Sequence, residues 1–276
     1  MKKALFLIAA LVMSAATFEA KADLFNIGGV RTNIYSYSTK SFEGAESETR
    51  EMPLISGISN NGPLNIVYIQ SDKSEVVVMG EKALFNRVQT QYKNGVVNVS
   101  LEPGTYRNLW IQVVVYAPSL NSIKCTGSGN VKAEKVTSNA EEMSVKVTGS
   151  AIIAIEQLEC SRNLDFHISG SGDIRTNETS CQMLDVNITG SGDVIAQKTK
   201  FFNMDANVTG SGGMKFVELD GNQAELNVKG SGNIKLEGGN IKYVKARVLG
   251  SGSIAGDIKY ESLDQNSKGS GFIRFK

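Results

Sequence analysis

From residue 122 onward, apolar and polar residues alternate in short runs separated by a recurring glycine signature. Two residues before each signature stand Cys125, Val147, Ile168, Ile188, Val208, Val228 and Val248, with Ser267 in the last copy. Four before it stand Ile123, Val145, Phe166, Val186, Ala206, Leu226 and Ala246. The residues between these two sets are polar: Lys146, His167, Asn187, Asn207, Asn227 and Arg247. Alternation with a period of two predicts a half-buried strand. Four residues past the first Gly of each signature the chain is again apolar, at Val131, Ile153, Ile174, Val194, Met214, Ile234, Ile254 and Ile273. Each unit therefore reads as strand, glycine corner, strand and a more variable return.

The signature is Gly-Ser-Gly, beginning at Gly127, Gly149, Gly170, Gly190, Gly210, Gly230, Gly250 and Gly269, with Ala151 as the third residue of the second copy. Its spacing is 19 to 22 residues. A repeat of that length, made of short strands without helical periodicity, predicts one coil of a parallel β-helix, an all-β solenoid. Equivalent residues then stack at roughly 4.8 Å, with the Val, Ile and Leu ladders inside. Glycine at a corner permits a positive φ or a backbone approach that a side chain would block. A serine ladder would let each hydroxyl bond its neighbour or the adjacent backbone. A propeller blade needs roughly 40 or more residues, and the six-residue subrepeat of a hexapeptide helix is absent.

Residues 46–121 are also strand-rich but lack the corner. Leu64 to Ile69 and Glu75 to Val78 flank the polar Ser71-Asp72-Lys73-Ser74; Asn94-Gly95 precedes Val96 to Val99; Leu109 to Tyr116 is a long apolar strand ended by Pro118. These suit irregular capping coils, since terminal repeats of a solenoid are atypical; a separate small β domain is the alternative. Residues 23–45 are polar with few apolar anchors and are expected to be loosely held. Residues 1–22 read as a secretory signal peptide: Lys2 and Lys3, an apolar run from Ala4 to about Ala16, and a small-x-small cleavage site at Ala20-Lys21-Ala22. The expected destination is the periplasm, the outer-membrane surface or the extracellular space, with no transmembrane segment in the processed chain.

With its apparent leader, the strand pattern of Ile66 to Gly80, the strand Val113 to Pro118 and the repeated Gly-Ser-Gly corners, the chain resembles the auto-transporter adhesin head domain (GIN domain) family of the Bacteroidetes. The resemblance covers roughly residues 46 to 276. It implies a secreted, right-handed parallel β-helix with an adhesin-like function, and it carries over no catalytic or ligand residues. An auto-transporter also needs a membrane barrel; with five residues after the last corner, the chain is expected to lack a translocator.

Charge and chemistry narrow the function classes. The 29 Lys plus Arg balance 28 Asp plus Glu, which argues against nucleic-acid binding. One His and three Cys leave little material for a zinc site, and no cofactor is expected. Asp165, Asp185, Asp205 and Glu225 fall five residues before successive corners on the outward parity, beside Asn187, Asn207 and Asn227. Stacked asparagines satisfy one another along an axis. Stacked carboxylates repel, so this ladder is the candidate binding surface, for a divalent cation such as calcium or for a basic or polyhydroxylated partner. Solvation of splayed carboxylates, with Lys245 and Arg247 relieving one end, is the plain alternative. The partner expected is an unidentified protein or glycan. A structural or assembly module of the envelope is a second reading, and a polysaccharide lyase-like enzyme using Asp173, Asp193 and Arg175 a third. The Gly-Ser-Gly-Asp pieces lack the nine-residue period of calcium-binding repeats, and His167 is read as a surface position. Cys160 and Cys181 each lie eleven residues past a corner Gly, within reach of a disulfide if stacked, whereas Cys125 is expected to stay free.

Overall fold

The structure, a computed structural model, describes residues 41–106 and 108–276. The proposed signal peptide and residues 23–40 lie outside these. The described chain is all-β apart from one 3-10 turn at Lys82–Arg87, and no helix is long and apolar enough to cross a membrane.

From Glu142 on, each coil lays parallel strands directly over the coil before it. Met183–Gly190 pairs in parallel with Asn163–Gly170 on one side and Asn203–Gly210 on the other, with Gly190 opposite both Gly170 and Gly210. After each corner a second run pairs the same way, Ile174 with Val194 and Val194 with Met214. A bend follows, and a third, shorter run stacks Glu178 on Lys198 and Lys198 on Glu218. The chain is a parallel β-solenoid with coils of about 20 residues.

Register puts one side-chain parity inside. Phe166, Val186, Ala206, Leu226 and Ala246 form one fully buried ladder; Ile174, Val194, Met214, Ile234 and Ile254 form another. In two coils a large residue faces a small one: Phe166 accompanies the small Thr176, and Ala206 accompanies Phe216. Burial of this continuous core, from Ile55 to Ile258, is the main stabilising term.

The opening region joins the same sheet network, but in a different spatial order from its chain order. Gly57–Asn60 pairs in parallel with both Ser122–Cys125 and Val96–Leu101, and Asn65–Gln70 pairs in parallel with both Val131–Ser138 and Ile111–Ala117. The coil formed by residues 57–70 thus lies between the regular repeats and strands that come later in the sequence. Outermost are antiparallel strands: Glu46–Glu51 on Glu75–Gly80, Glu75–Gly80 on Ile111–Ala117, and Val88–Lys93 on Val96–Leu101. The Asn94-Gly95 turn, with both residues at positive φ, makes the last of these hairpins. Val67, Val77, Met79, Val114 and Tyr116 form a second, small apolar cluster with Phe42 against it. Phe42 also stacks on Trp110 at 5.6 Å, so the described end of the segment expected to be loose is anchored.

Candidate functional site

Each corner has a backbone reason for its composition. Seven of the eight leading glycines have φ between +114° and +142°; Gly127 is the one without a positive φ. At each regular corner two successive N–H groups share one carbonyl below: Ser191 and Gly192 both donate to Gly170 O, at 2.9 and 3.2 Å. The third position is buried against the preceding coil's backbone, while the Ser between is exposed. Ser251 and Ser270 hydrogen-bond through their hydroxyls at 3.2 Å.

The strands preceding the corners present three adjacent outward columns. One stacks Ser144, Asp165, Asp185, Asp205, Glu225, Lys245 and Asp264. Beside it run Lys146, His167, Asn187, Asn207, Asn227, Arg247 and Asn266. Nearest the corners come Thr148, Ser169, Thr189, Thr209, Lys229, Leu249 and Lys268. All seven residues of the candidate ladder therefore share one flat face in unbroken register. Asn207 Nδ2 donates to Asn187 Oδ1 at 3.2 Å and to Asp205 Oδ1 at 2.9 Å, and Asn227 Nδ2 donates to Asn207 Oδ1 at 3.1 Å.

Both ends of the carboxylate column are neutralised. Lys146 Nζ lies 3.2 Å from Asp165, and Glu225 receives Lys245 at 3.1 Å and Arg247 at 2.9 Å. The middle keeps like charges in line. Partial burial first, then Asp205, Asp165 and Glu142, push the Asp185 carboxyl above the usual carboxylate range. The run beyond the bend is built differently: Glu178, Lys198 and Glu218 alternate in sign from coil to coil. Among the described residues, no group of three or more His, Cys, Asp or Glu is gathered closely enough to hold a metal ion.

Asp173 and Asp193 stand elsewhere, just after the corners, in an arrangement the sequence reading missed. Asn130 N–H donates to Asn65 Oδ1, Ile152 N–H to Asn130 Oδ1, Asp193 N–H to Asp173 Oδ1 and Gly213 N–H to Asp193 Oδ1. These side chains splice one coil's backbone to the next. Arg175 is buried and paired with Asp173. Of the trio proposed for a lyase, Asp173 and Asp193 are thus occupied in holding coils together, and Arg175 is paired with Asp173 within its own coil. The signal was available: an Asx or Ser follows the signature at positions 130, 173, 193, 233 and 253.

His167 sits in the amide column between Lys146 and Asn187, as its parity requires. All three cysteines are free thiols. Burial pushes the Cys125 and Cys181 thiols up to about 12 and raises Cys160, whose Sγ lies 3.2 Å from Asn163 O.

A parallel β-solenoid with one regular polar face is a scaffold of display rather than of enclosure. Residues 56–217 match the family described as "Putative auto-transporter adhesin, head GIN domain". The chain belongs to that family. Solved structures share its fold, among them a "putative lipid binding protein" and a "putative adhesin", both from Parabacteroides distasonis. These two are 22% and 20% identical over 84% of this chain and 97% of each of theirs, with TM-scores of 0.70 and 0.71. A "putative adhesin" from Bacteroides fragilis is 18% identical over 87% of this chain and 98% of its own, with a TM-score of 0.58. No curated protein matches the chain.

Proposed function

We propose that this protein is an exported, non-enzymatic adhesin of the cell envelope that binds a protein or glycan ligand across the face carrying Asp165, Asp185, Asp205, Glu225 and the Asn187–Asn207–Asn227 ladder. The observation that carries the reading is the contrast between two surfaces of one solenoid. Beyond the bend, charges alternate from coil to coil, as a fold optimised for its own stability would arrange them. On the ladder face, carboxylates stack in line, where neighbours about 5 Å apart repel by roughly 1 kcal/mol in a water-like dielectric and about 3 kcal/mol at an effective value of 20. A face that carries this repulsion, with amides fixed by their own hydrogen bonds, is preorganised to meet ligand hydroxyls or basic groups. Family membership supports adhesion, and a leader at residues 1–22 would supply export.

Probing a glycan array and immobilised envelope proteins with the purified protein tests the reading. Binding that Asn187→Ala plus Asn207→Ala abolishes, in a variant that still melts cooperatively, is the expected result. Binding indifferent to those changes would move the site off this face. Depolymerisation of a polysaccharide would replace the adhesin reading with the enzyme.

A further inference from the structure

The polar face does not keep one character along its length. The amide column runs through Asn187, Asn207 and Asn227 and then gives Arg247. The hydroxyl column runs through Thr148, Ser169, Thr189 and Thr209 and then gives Lys229, Leu249 and Lys268. The acidic column gives Lys245 after Glu225 and returns to Asp264 in the last coil. Within one coil of one another, three columns independent in sequence each gain a cation, at Lys229, Lys245 and Arg247.

The change leaves a shallow, open groove on the face. The short Asn207, Thr209 and Asn227 lie between the longer Lys229, Arg247 and Lys268, over about 500 Å³. Exposed Leu249 adds an apolar edge. No carboxylate lines this groove, although Glu225 holds Arg247 from the side. Lys229 and Lys268 have no acidic partner among the described residues. The smaller groove beyond the bend, about 270 Å³, is instead lined by Glu159 and Glu178 together with Lys198 and Lys200, so its charges cancel internally.

Resting on the adhesin reading above, we propose that this groove binds an acidic polysaccharide, its carboxylate or sulfate groups meeting Lys229, Arg247 and Lys268 and its hydroxyls meeting Asn207, Asn227 and Thr209. The chemistry favours a polysaccharide over an acidic peptide. The strands Asn203–Gly210, Gly213–Gly230 and Gly239–Gly250 under the groove are paired on both sides, leaving a backbone edge only at its rim along Ser262–Lys268, and a peptide would also want a deep apolar pocket. A glycan needs what is present: a row of fixed amides and hydroxyls beside cations. Orientation follows as well, because an anionic chain extending along the solenoid axis is repelled by Asp185 and Asp205 and is confined to the cationic end.

Purified protein titrated with polygalacturonate, dextran sulfate, neutral dextran and poly-L-glutamate, at low and high salt, tests this. The expected result is binding of polygalacturonate or dextran sulfate that weakens with salt, with little binding of dextran or poly-L-glutamate. Carboxylate and sulfate arms distinguish the anion, and binding of either supports the site. Lys229→Gln plus Lys268→Gln should weaken binding by about tenfold or more, the worth of one charge-assisted hydrogen bond. Lys198→Gln plus Lys200→Gln, on the run beyond the bend, should leave it unchanged. Both pairs change exposed side chains and should unfold with the wild-type midpoint. Poly-L-glutamate binding as well as polygalacturonate, or the lysine pair binding like wild type, overturns the proposal. Ladder-dependent binding of neutral glycans or proteins, with none of the acidic polymers, overturns the groove but leaves the adhesin reading standing; no binding to any array component removes both.

Discussion

At position 210 the backbone holds φ at +123°, and a Cβ there would stand 2.5 Å from Gly190 O. Two penalties coincide: an unfavourable conformation for any L side chain, worst for a β-branched one, and a clash with backbone that has nowhere to move. Gly210→Val should therefore lose about 3 kcal/mol in urea unfolding. Ser211, next along the chain, is exposed, and Ser211→Ala should stay within about 0.5 kcal/mol. Equal losses would mean that the serine hydroxyl, rather than the glycine backbone, shapes the corner. The thiols can be tested at the same scale. Cys160 and Cys181 are free in the structure. Alkylation after unfolding without reductant should add three groups by intact mass; a single added group would reveal a bridge between them. In the native state the reaction should be slow at neutral pH, because thiols held near 12 offer little thiolate.

Strands turn these residue rules into ladders, and ladders carry their own tests. Asn207→Ala removes donation to Asn187 and Asp205 and the acceptor for Asn227, so a loss of about 1–2 kcal/mol is expected from unfolding. Asp185 works in the opposite sense. Its folded carboxyl sits above its unfolded value, so protonation favours the fold: that contribution is complete below the ordinary carboxylate range and is lost as pH rises through the raised value. Asp185→Asn should accordingly raise the melting temperature at pH 7, with the gain vanishing near pH 3. A constant gain across that range would locate the effect in packing instead. Period-two alternation and the glycine spacing made the inner ladders and the shared face of Asp165 to Glu225 legible in sequence, because parity and a fixed coil length leave only one register. The Asx splice at Asp173 and Asp193 left its trace in the sequence as an Asx or Ser after the signature, but which groups those carboxylates hold is set by the N–H groups of the next coil. Nor could alternation alone show that Gly57–Gln70 inserts beneath Ser122–Cys125 rather than preceding Val96–Leu101, since pairing partners in the opening region are set by packing between distant segments.

Across the whole molecule the two ends are unlike. The opening end closes with antiparallel strands, a second apolar cluster and Arg50, which ties the outer strand Glu46–Glu51 to Phe85 O and Val88 O. Charged Glu46, Glu48, Arg50 and Glu51 on that edge also discourage another strand from adding. At the other end Ser262–Lys268 and Phe272–Phe275 each pair on one side only among the described residues, and their side chains are largely exposed. In a solenoid each coil is stabilised by its neighbours, so stability falls where one neighbour is missing. Middle coils such as Met183–Gly190 have buried ladders above and below and hydrogen bonds on both edges. Hydrogen exchange followed by mass spectrometry should thus show amides of 262–275 exchanging first, those of 183–210 last, and the strands at 46–51 and 88–93 intermediate. Protection of 262–275 equal to the middle coils would mean that this end is covered in solution. Because the cationic groove reaches Lys268 in the fraying coil, polygalacturonate should slow exchange most at 262–268, so that one measurement reports both the stability gradient and the ligand's position.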